Sequence, residues 1–205
     1  MTIVAIIPAR GGSKRLPRKN IVPILGAPMI AWVIQACQRS RHITGVYVST
    51  EDQEIAEVAR RYGATVTPRP QALATDEVQK QDVIVQATQT LLEQGVKPDL
   101  VISAQPNSPE MRPEDLDAGI EKLLRHDRWE LFSVDQDLLQ NGAFRIMRLE
   151  TVFLKTLSVH AGVLIADYVD VHTRADVDQA EARLRRRAGL EVPQPEARAT
   201  NAEIS

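Results

Sequence analysis

The chain has 205 residues, 43% of them hydrophobic and 25% charged, with a net charge of −2. That balance gives no global case for binding nucleic acid or an acidic membrane, and no apolar run approaches the roughly 20 residues of a membrane-spanning helix. The one cysteine, Cys37, excludes an intrachain disulfide framework and fits a reducing compartment, so the expected location is cytoplasmic.

After Thr2, the apolar run at residues 3–7 predicts a buried first strand that stops at Pro8. The loop that follows, through Asn20, carries Gly11, Gly12, Ser13 and five basic residues, Arg10, Lys14, Arg15, Arg18 and Lys19. Cations this close repel one another, so the cluster becomes favourable when a polyanion sits among them. Gly11 and Gly12 let the backbone approach that anion with its N–H groups turned inward, while Arg10, Lys14 and Lys19 neutralise phosphate oxygens. A solvated basic loop is the bland alternative. The position directly after a buried strand favours a nucleoside-triphosphate loop.

Pro28 suits an early helix position, with Met29, Ile30, Val33, Ile34 and Cys37 on one apolar face. Residues 45–50 read as a second strand. Thr50 or Asp52 caps the next helix, which keeps its period through Ile55, Ala59 and Tyr62 and stops at Gly63. Residues 64–67 form a short third strand ended by Pro68-Arg69-Pro70, and residues 73–80 are polar and irregular. A helix over 81–93 leads to a nearly all-apolar strand over 99–104, broken by Gln105-Pro106-Asn107-Ser108-Pro109. A helix runs from Pro113 to about Arg125. Residues 130–134 and 143–147 read as strands around an Asn141-Gly142 turn signal, residues 161–166 as a strand or short helix, and residues 169–172 as a strand end. Thr173 or Asp176 starts a last helix through Leu184.

Strands alternating with helices predict one α/β domain over residues 1–190, a mostly parallel, Rossmann-like three-layer α/β/α sheet with right-handed crossovers. Residues 191–205, dominated by Pro, Ala, Glu, Asn and Ser, are expected to be a disordered tail. Ligands of such sheets sit beyond the carboxyl ends of the strands. The loops holding Arg10 to Asn20, Ser49-Thr50, Arg69 and Gln105 are therefore expected to converge on one crevice.

The basic loop is neither a Walker A motif nor a Gly-x-Gly-x-x-Gly fingerprint. Pro8-Ala9-Arg10-Gly11-Gly12-Ser13-Lys14, then Leu16-Pro17 and Lys19-Asn20, instead resembles the N-terminal signature of the CMP-acylneuraminate (CMP-sialic acid) synthetase family, nucleotidyltransferases that use CTP. Further blocks look like the family's and follow in its order. They are Val48-Ser49-Thr50-Glu51-Asp52, Tyr62-Gly63-Ala64, Arg69-Pro70, Leu73-Ala74-Thr75-Asp76, Gln105-Pro106-Asn107-Ser108-Pro109, Asn141-Gly142-Ala143 and Val169-Asp170-Val171-His172-Thr173. The resemblance covers about residues 3–184.

It implies a nucleotidyltransferase sheet in which CTP and an acidic acceptor give a CMP conjugate and pyrophosphate, the acceptor oxygen attacking the α-phosphorus in line. Carried over position by position, it implies that Arg10, Gly11, Gly12, Ser13, Lys14 and Lys19 hold the triphosphate. Asn20, Arg69, Asp76 and Gln105 are implied CTP contacts. Lys19, Arg10 and Asp170 are the implied catalytic set, with Lys19 stabilising charge at the reacting phosphate. Asp170 is the implied ligand of the cofactor, Mg2+. Asn107, Ser108, Asn141 and His172 lie at the implied acceptor site, and a homodimer is the implied assembly.

Two departures from the family pattern matter. The family's late block carries Asp-x-Asp for magnesium, whereas this chain reads Asp170-Val171-His172, and imidazole is a poor magnesium ligand. Either Asp170 holds the metal with phosphates and waters, supported by Asp167 or Asp176, or the metal preference or the chemistry has changed. His172 could instead contact the acceptor, act as a base, or carry no chemical role. The second departure is a shortening: only residues 135–140 join Val134 to Asn141, where the sialic-acid enzymes carry a much longer segment that holds the sugar and contributes to the dimer. The expected acceptor is therefore a smaller acid, a 2-keto-3-deoxy sugar acid or a phosphonate. Two alternatives stand beside this expectation: transfer from another nucleoside triphosphate, and a CTP-binding protein without turnover.

Overall fold

A computed structural model describes residues 1–75, 77–187 and 189–196. The chain order is β1 (Ile3–Pro8), β2 (Pro23–Ile24), β3 (Ala27–Pro28), α1 (Met29–Arg39), β4 (Gly45–Thr50), α2 (Gln53–Arg61) and β5 (Thr65–Pro68). It continues through α3 (Lys80–Glu93), β6 (Leu100–Ala104), α4 (Pro113–Arg125), β7 (Glu130–Val134), β8 (Gln140–Arg148), α5 (Leu149–Val152), β9 (Ala161–Ile165) and α6 (Arg174–Arg185).

Side chains alternate across a strand, and here the alternation divides the core into layers. Ile3, Ala5 and Ile7 of β1 face one side of the sheet, where Ile34 of α1, Ile55 of α2 and Leu116 of α4 cover them. Val4 and Ile6 face the other side and meet Ile84, Ala87 and Leu91 of α3 with Val152 of α5. Every residue of β1 from Ile3 to Ile7 is at most 1% exposed, so a continuous apolar run, with no polar alternation, is what this strand needs. The result is the three-layer α/β/α sheet that the pattern predicts. A third cluster joins the β2–β3 hairpin to α6 through Ile24, Trp32, Val177 and Leu184.

The main sheet has the order β5-β4-β1-β6-β8-β7-β9. Parallel pairs link β4 to β5, β1 to both β4 and β6, and β7 to β9, while β8 runs antiparallel between β6 and β7. After β1 the chain builds outward through β4 and β5, then returns to the other side of β1 with β6. The loops leaving β1 and β6 therefore diverge, which opens a crevice between them at their carboxyl ends.

Caps set the helix boundaries. Asp52, one of the two residues expected to do so, caps α2 by accepting the Ile55 N–H at 2.9 Å. Thr173 caps α6 in a capping box with Asp176, whose carboxylate accepts the N–H groups of Thr173 and His172. Cys37 is fully buried in the core, where burial pushes its thiol up to about 12.

Two sequence expectations are corrected. Asn141-Gly142 is not the turn between β7 and β8 but lies inside β8, where the register against β7 shifts between Phe132 and Val134. The turn itself is nucleated by Asp135, whose carboxylate accepts the N–H groups of Asp137 and Leu139. Gly142 uses its positive φ of 70° to make the irregularity in the strand. Residues 169–172 form no strand. Their backbone is held by Asn107, whose carbonyl accepts the Val171 N–H at 3.0 Å.

Residues 191–196 run along the body: Val192 packs on the α6 cluster and the Glu196 N–H donates to the Arg61 carbonyl at 2.8 Å. Residues 197–205 of the expected tail lie outside the described residues. Among the described residues no helix is long and apolar enough to cross a membrane.

Candidate active site

The crevice beyond β1 and β6 has a volume of about 340 Å3. Of the residues singled out from sequence, Arg10, Gly12, Ser13, Lys19, Asn20, Arg69, Gln105, Asn107, Asp170 and His172 all line it. They come from four separate stretches of chain, and the sheet order brings them together. Asp76 lies outside the described residues. Gly11, Lys14, Ser108 and Asn141 are not among the lining residues.

The basic loop is held from outside the crevice. Gly11 donates its N–H to Glu51 Oε1 at 2.7 Å, so that amide faces the end of β4 and not the crevice. A Cβ at position 11 would collide with the Asp52 carboxylate, which is why a glycine stands there. Arg18 adopts a left-handed φ of 57° and pairs with both Asp52 and Glu54. The next residue, Lys19, opens a short 3-10 turn over Lys19–Ile21 and is aimed back at the crevice.

Lys19 is half-buried, and burial holds its ammonium below the ordinary lysine range. The Asp170 charge opposes that shift, and Arg15, Lys80 and Arg10 add to it. Lys19 Nζ lies 3.3 Å and Arg15 Nη2 2.9 Å from His172 Nδ1. Both are donors, so Nδ1 is the acceptor and the ring hydrogen sits on Nε2, which donates to Asp170 Oδ2 at 2.8 Å. His172 thus links the cations of the loop to the carboxylate opposite them.

Arg69 is 7% exposed, held by the Ser49 carbonyl at 2.9 Å, with Glu51 Oε2 at 3.9 Å. Asn20 is 5% exposed and donates from Nδ2 to the Arg10 carbonyl, while its Oδ1 is buried without a hydrogen-bond partner. An orphaned buried acceptor costs about 1–3 kcal/mol, which a ligand donor would recover.

The remaining expected residues have structural work. Asn107 is buried and donates from Nδ2 to Asp170 Oδ1 and to the Val171 carbonyl. Ser108 is 2% exposed. Asn141 takes the hydroxyl hydrogen of Ser133 at 2.6 Å and the Ala143 N–H at 3.1 Å, bracing the irregular start of β8. Asp176 is occupied with the α6 cap, and Asp167 lies 3.8 Å from Arg183 in a neighbouring cavity.

Lys80 and Val78 line the crevice but belong to none of the sequence motifs, and Thr75 lines it as part of the Leu73-Ala74-Thr75-Asp76 block. For Lys80 there is one usable signal. A lysine at the first position of a helix opposes the helix dipole, so its placement asks for a reason outside the helix.

As a magnesium site the crevice offers one carboxylate, Asp170, with a half-exposed side chain. Among the described residues no three His, Cys, Asp or Glu side chains form a metal cluster. One carboxylate nevertheless fits magnesium, which takes one or two protein carboxylates and completes its shell with substrate phosphates and water. Nucleotidyltransferases commonly use this ion.

Solved structures with the same fold include a CMP:2-keto-3-deoxy-manno-octonic acid synthetase complexed with CTP, at a TM-score of 0.71 and 17% identity, covering 91% of this chain and 99% of that one. A 4-diphosphocytidyl-2C-methyl-D-erythritol synthase from Anaerococcus prevotii matches at a TM-score of 0.61 and 12% identity, covering 90% and 98%. Among curated proteins, N-acylneuraminate cytidylyltransferase A of Danio rerio is 36% identical over 132 residues, 64% of this chain and 30% of that protein. The pseudaminic acid cytidylyltransferase of Campylobacter jejuni is 35% identical over 137 residues, 66% and 59%. The match spans less than two thirds of the length of either relative. The family model described as "Cytidylyltransferase" matches residues 4–176, from the first strand through the crevice residues to the α6 cap, and the chain belongs to that family.

Proposed function

We propose that the chain transfers CMP from CTP to a small acidic acceptor, a 2-keto-3-deoxy sugar acid or a phosphonate, and releases pyrophosphate. The observation that carries this reading is the convergence of Arg10, Ser13, Lys19, Asn20, Arg69 and Gln105 on one crevice at the carboxyl ends of β1 and β6. Arg10 and Lys19 are placed to neutralise triphosphate oxygens. The orphaned Asn20 Oδ1 offers an acceptor to an N–H or O–H of the nucleoside, and Gln105 offers both a donor and an acceptor to a base edge.

In the reaction an acceptor oxygen forms a bond to the α-phosphorus while the bond to the bridging oxygen breaks, and pyrophosphate leaves with the electron pair. A hydroxyl acceptor also gives up its proton, which passes to solvent water. Catalysis then consists of alignment and charge stabilisation. Lys19, half-buried with its ammonium disfavoured by desolvation, gains most when negative charge builds up beside it. Asp170 is the residue that would hold magnesium, which supplies charge neutralisation on the phosphates when bound. His172 fixes the Asp170 carboxylate from one side and Asn107 from the other. A homodimer and a cytoplasmic location belong to the same proposal.

One observation favours a second reading, CTP binding without turnover: both carboxylate oxygens of Asp170 already have protein partners. Pyrophosphate release decides between them, measured with CTP, UTP, ATP and GTP against 2-keto-3-deoxy acids and phosphonates in the presence of Mg2+. Release with CTP and one of the acids is expected. Release with another nucleotide in place of CTP overturns the choice of donor, and CTP binding with no release establishes the second reading.

A further inference from the structure

Beside the crevice lies a second cavity of about 290 Å3, and the two share Lys80 and Gln105. Phe132 of β7 and Gln140, Gly142 and Arg145 of β8 form its other side. Small-molecule pockets run from ~300 to ~1,000 Å3, so this one suits a compact ligand.

Among the described residues that line it, Lys80 decides its charge. Arg145 donates from Nε to Glu130 at 2.8 Å, and Glu130 is 0% exposed, so those two charges cancel locally. The Lys80 ammonium has no hydrogen bond or ion pair with any described residue. It hangs over the start of β8, where a Cβ on Gly142 would lie 3.6 Å from Nζ. It is also near enough to Lys19 for repulsion to contribute to the depressed ammonium there. Two ammonium groups on one rim, the second at a helix start that disfavours it, form an arrangement that bound anions relieve. The exposed Gln140 adds an amide for hydroxyl or carbonyl groups.

We infer that this second cavity receives the acceptor and that Lys80 is the specificity-determining residue that takes its acidic group, an inference that rests on the crevice being the CTP site. The ligand class is a compact organic acid, carboxylate or phosphonate, whose anion meets Lys80 while its attacking oxygen points across Gln105 towards the triphosphate. Lys80 contributes binding and placement; no bond is made to it.

Calorimetric titration of the full chain, of Lys80→Met and of Lys80→Arg tests this. The first titrant is the α,β-methylene analogue of CTP with Mg2+, which cannot release pyrophosphate. The protein loaded with that analogue is then titrated separately with 3-deoxy-manno-octulosonate and with 2-hydroxyethylphosphonate. At least one acid is expected to bind the loaded wild type. Lys80→Met should weaken that acid tenfold or more and the analogue less than threefold, with Lys80→Arg restoring most of the loss. Which acid binds separates the carboxylate source from the phosphonate source. If the analogue weakens as much as the acid, Lys80 serves the triphosphate and the inference is overturned. Unchanged acid affinity in Lys80→Met, or no acid bound to the loaded wild type, overturns it as well while leaving the CTP site standing. A wild type that fails to bind the analogue overturns the reading of the crevice and this inference together.

Discussion

Arg18 donates from Nη1 to the Asp52 carboxylate at 2.6 Å, while the same carboxylate caps α2. The residue that precedes Lys19 is thereby fastened to the start of a helix, at a backbone conformation that costs a non-glycine residue of order 1 kcal/mol. Asp52→Asn keeps a capping side chain and loses the ion pair; because Arg18 is substantially exposed, the expected cost is under about 1 kcal/mol. Asp52→Ala loses the cap too, for about 1 kcal/mol more. The Arg18 hydrogen bond is the largest cause holding the Asp52 carboxyl below the usual range. Its stabilisation is therefore complete above about pH 4, the ordinary aspartate value, and is lost as pH falls further through the lowered one. Urea unfolding of wild type and Asp52→Asn should show a gap at pH 6 that closes towards pH 3. An equal gap at both values would refute the assignment.

Gly11→Ala places a methyl against the Asp52 carboxylate. Overpacking of this kind costs about 1–3 kcal/mol and displaces the loop, so both the melting temperature and CTP affinity should fall. Combined with Asp52→Ala the loss should be less than the sum, because the second change removes the atom that clashes. Strict additivity in thermal melts would show that the two residues do not meet.

Lys19→Ala removes the ammonium that we propose stabilises charge at the reacting phosphate. Loss of one such donor typically costs about 10²–10³ in kcat, and that is the expected fall in the rate of pyrophosphate release with CTP and a competent acid. Lys19→Arg should recover part of it. Retention of a third or more of the rate in Lys19→Ala would remove Lys19 from the catalytic set.

Arg145→Ala strands the Glu130 carboxylate, which is 0% exposed. Leaving a buried charge uncompensated costs about 3–5 kcal/mol, enough to lower the urea midpoint sharply. The double change Arg145→Met with Glu130→Leu should be far milder than Arg145→Ala alone. A double variant as unstable as the single one would point to lost packing and not to the stranded charge.

What the sequence makes legible follows from how local each signal is. A fully buried parallel strand needs an unbroken apolar run, so β1 is plain, and the cations that follow it are meaningful because they crowd one short loop. The caps at Asp52 and Thr173 are equally local. By contrast, Glu51 holding the Gly11 amide and Asp52 holding Arg18 join residues 40 and 34 positions apart, and only the sheet order creates those contacts. Asn141-Gly142 misleads because the same residue types allow a positive φ in a turn and in an irregular strand. The true turn carries its positive φ at Leu138, a residue type that gives no warning. Lys80 lacks a motif altogether; its interest comes from the two cavities that meet at its ammonium.

Because β8 runs against its neighbours, its amino end, not its carboxyl end, reaches the rim of the crevice, where the Gln105 N–H donates to the Ala143 carbonyl. The loops after β1 and β6 thus leave their strands at this rim, whereas the opposite wall arrives there fresh from the short turn at Asp135. That turn joins β7 to β8 and takes no part in the pairing of β1 with β4 and β6. One half of such a protein can stay fixed through long divergence while the other is recut for a new partner molecule.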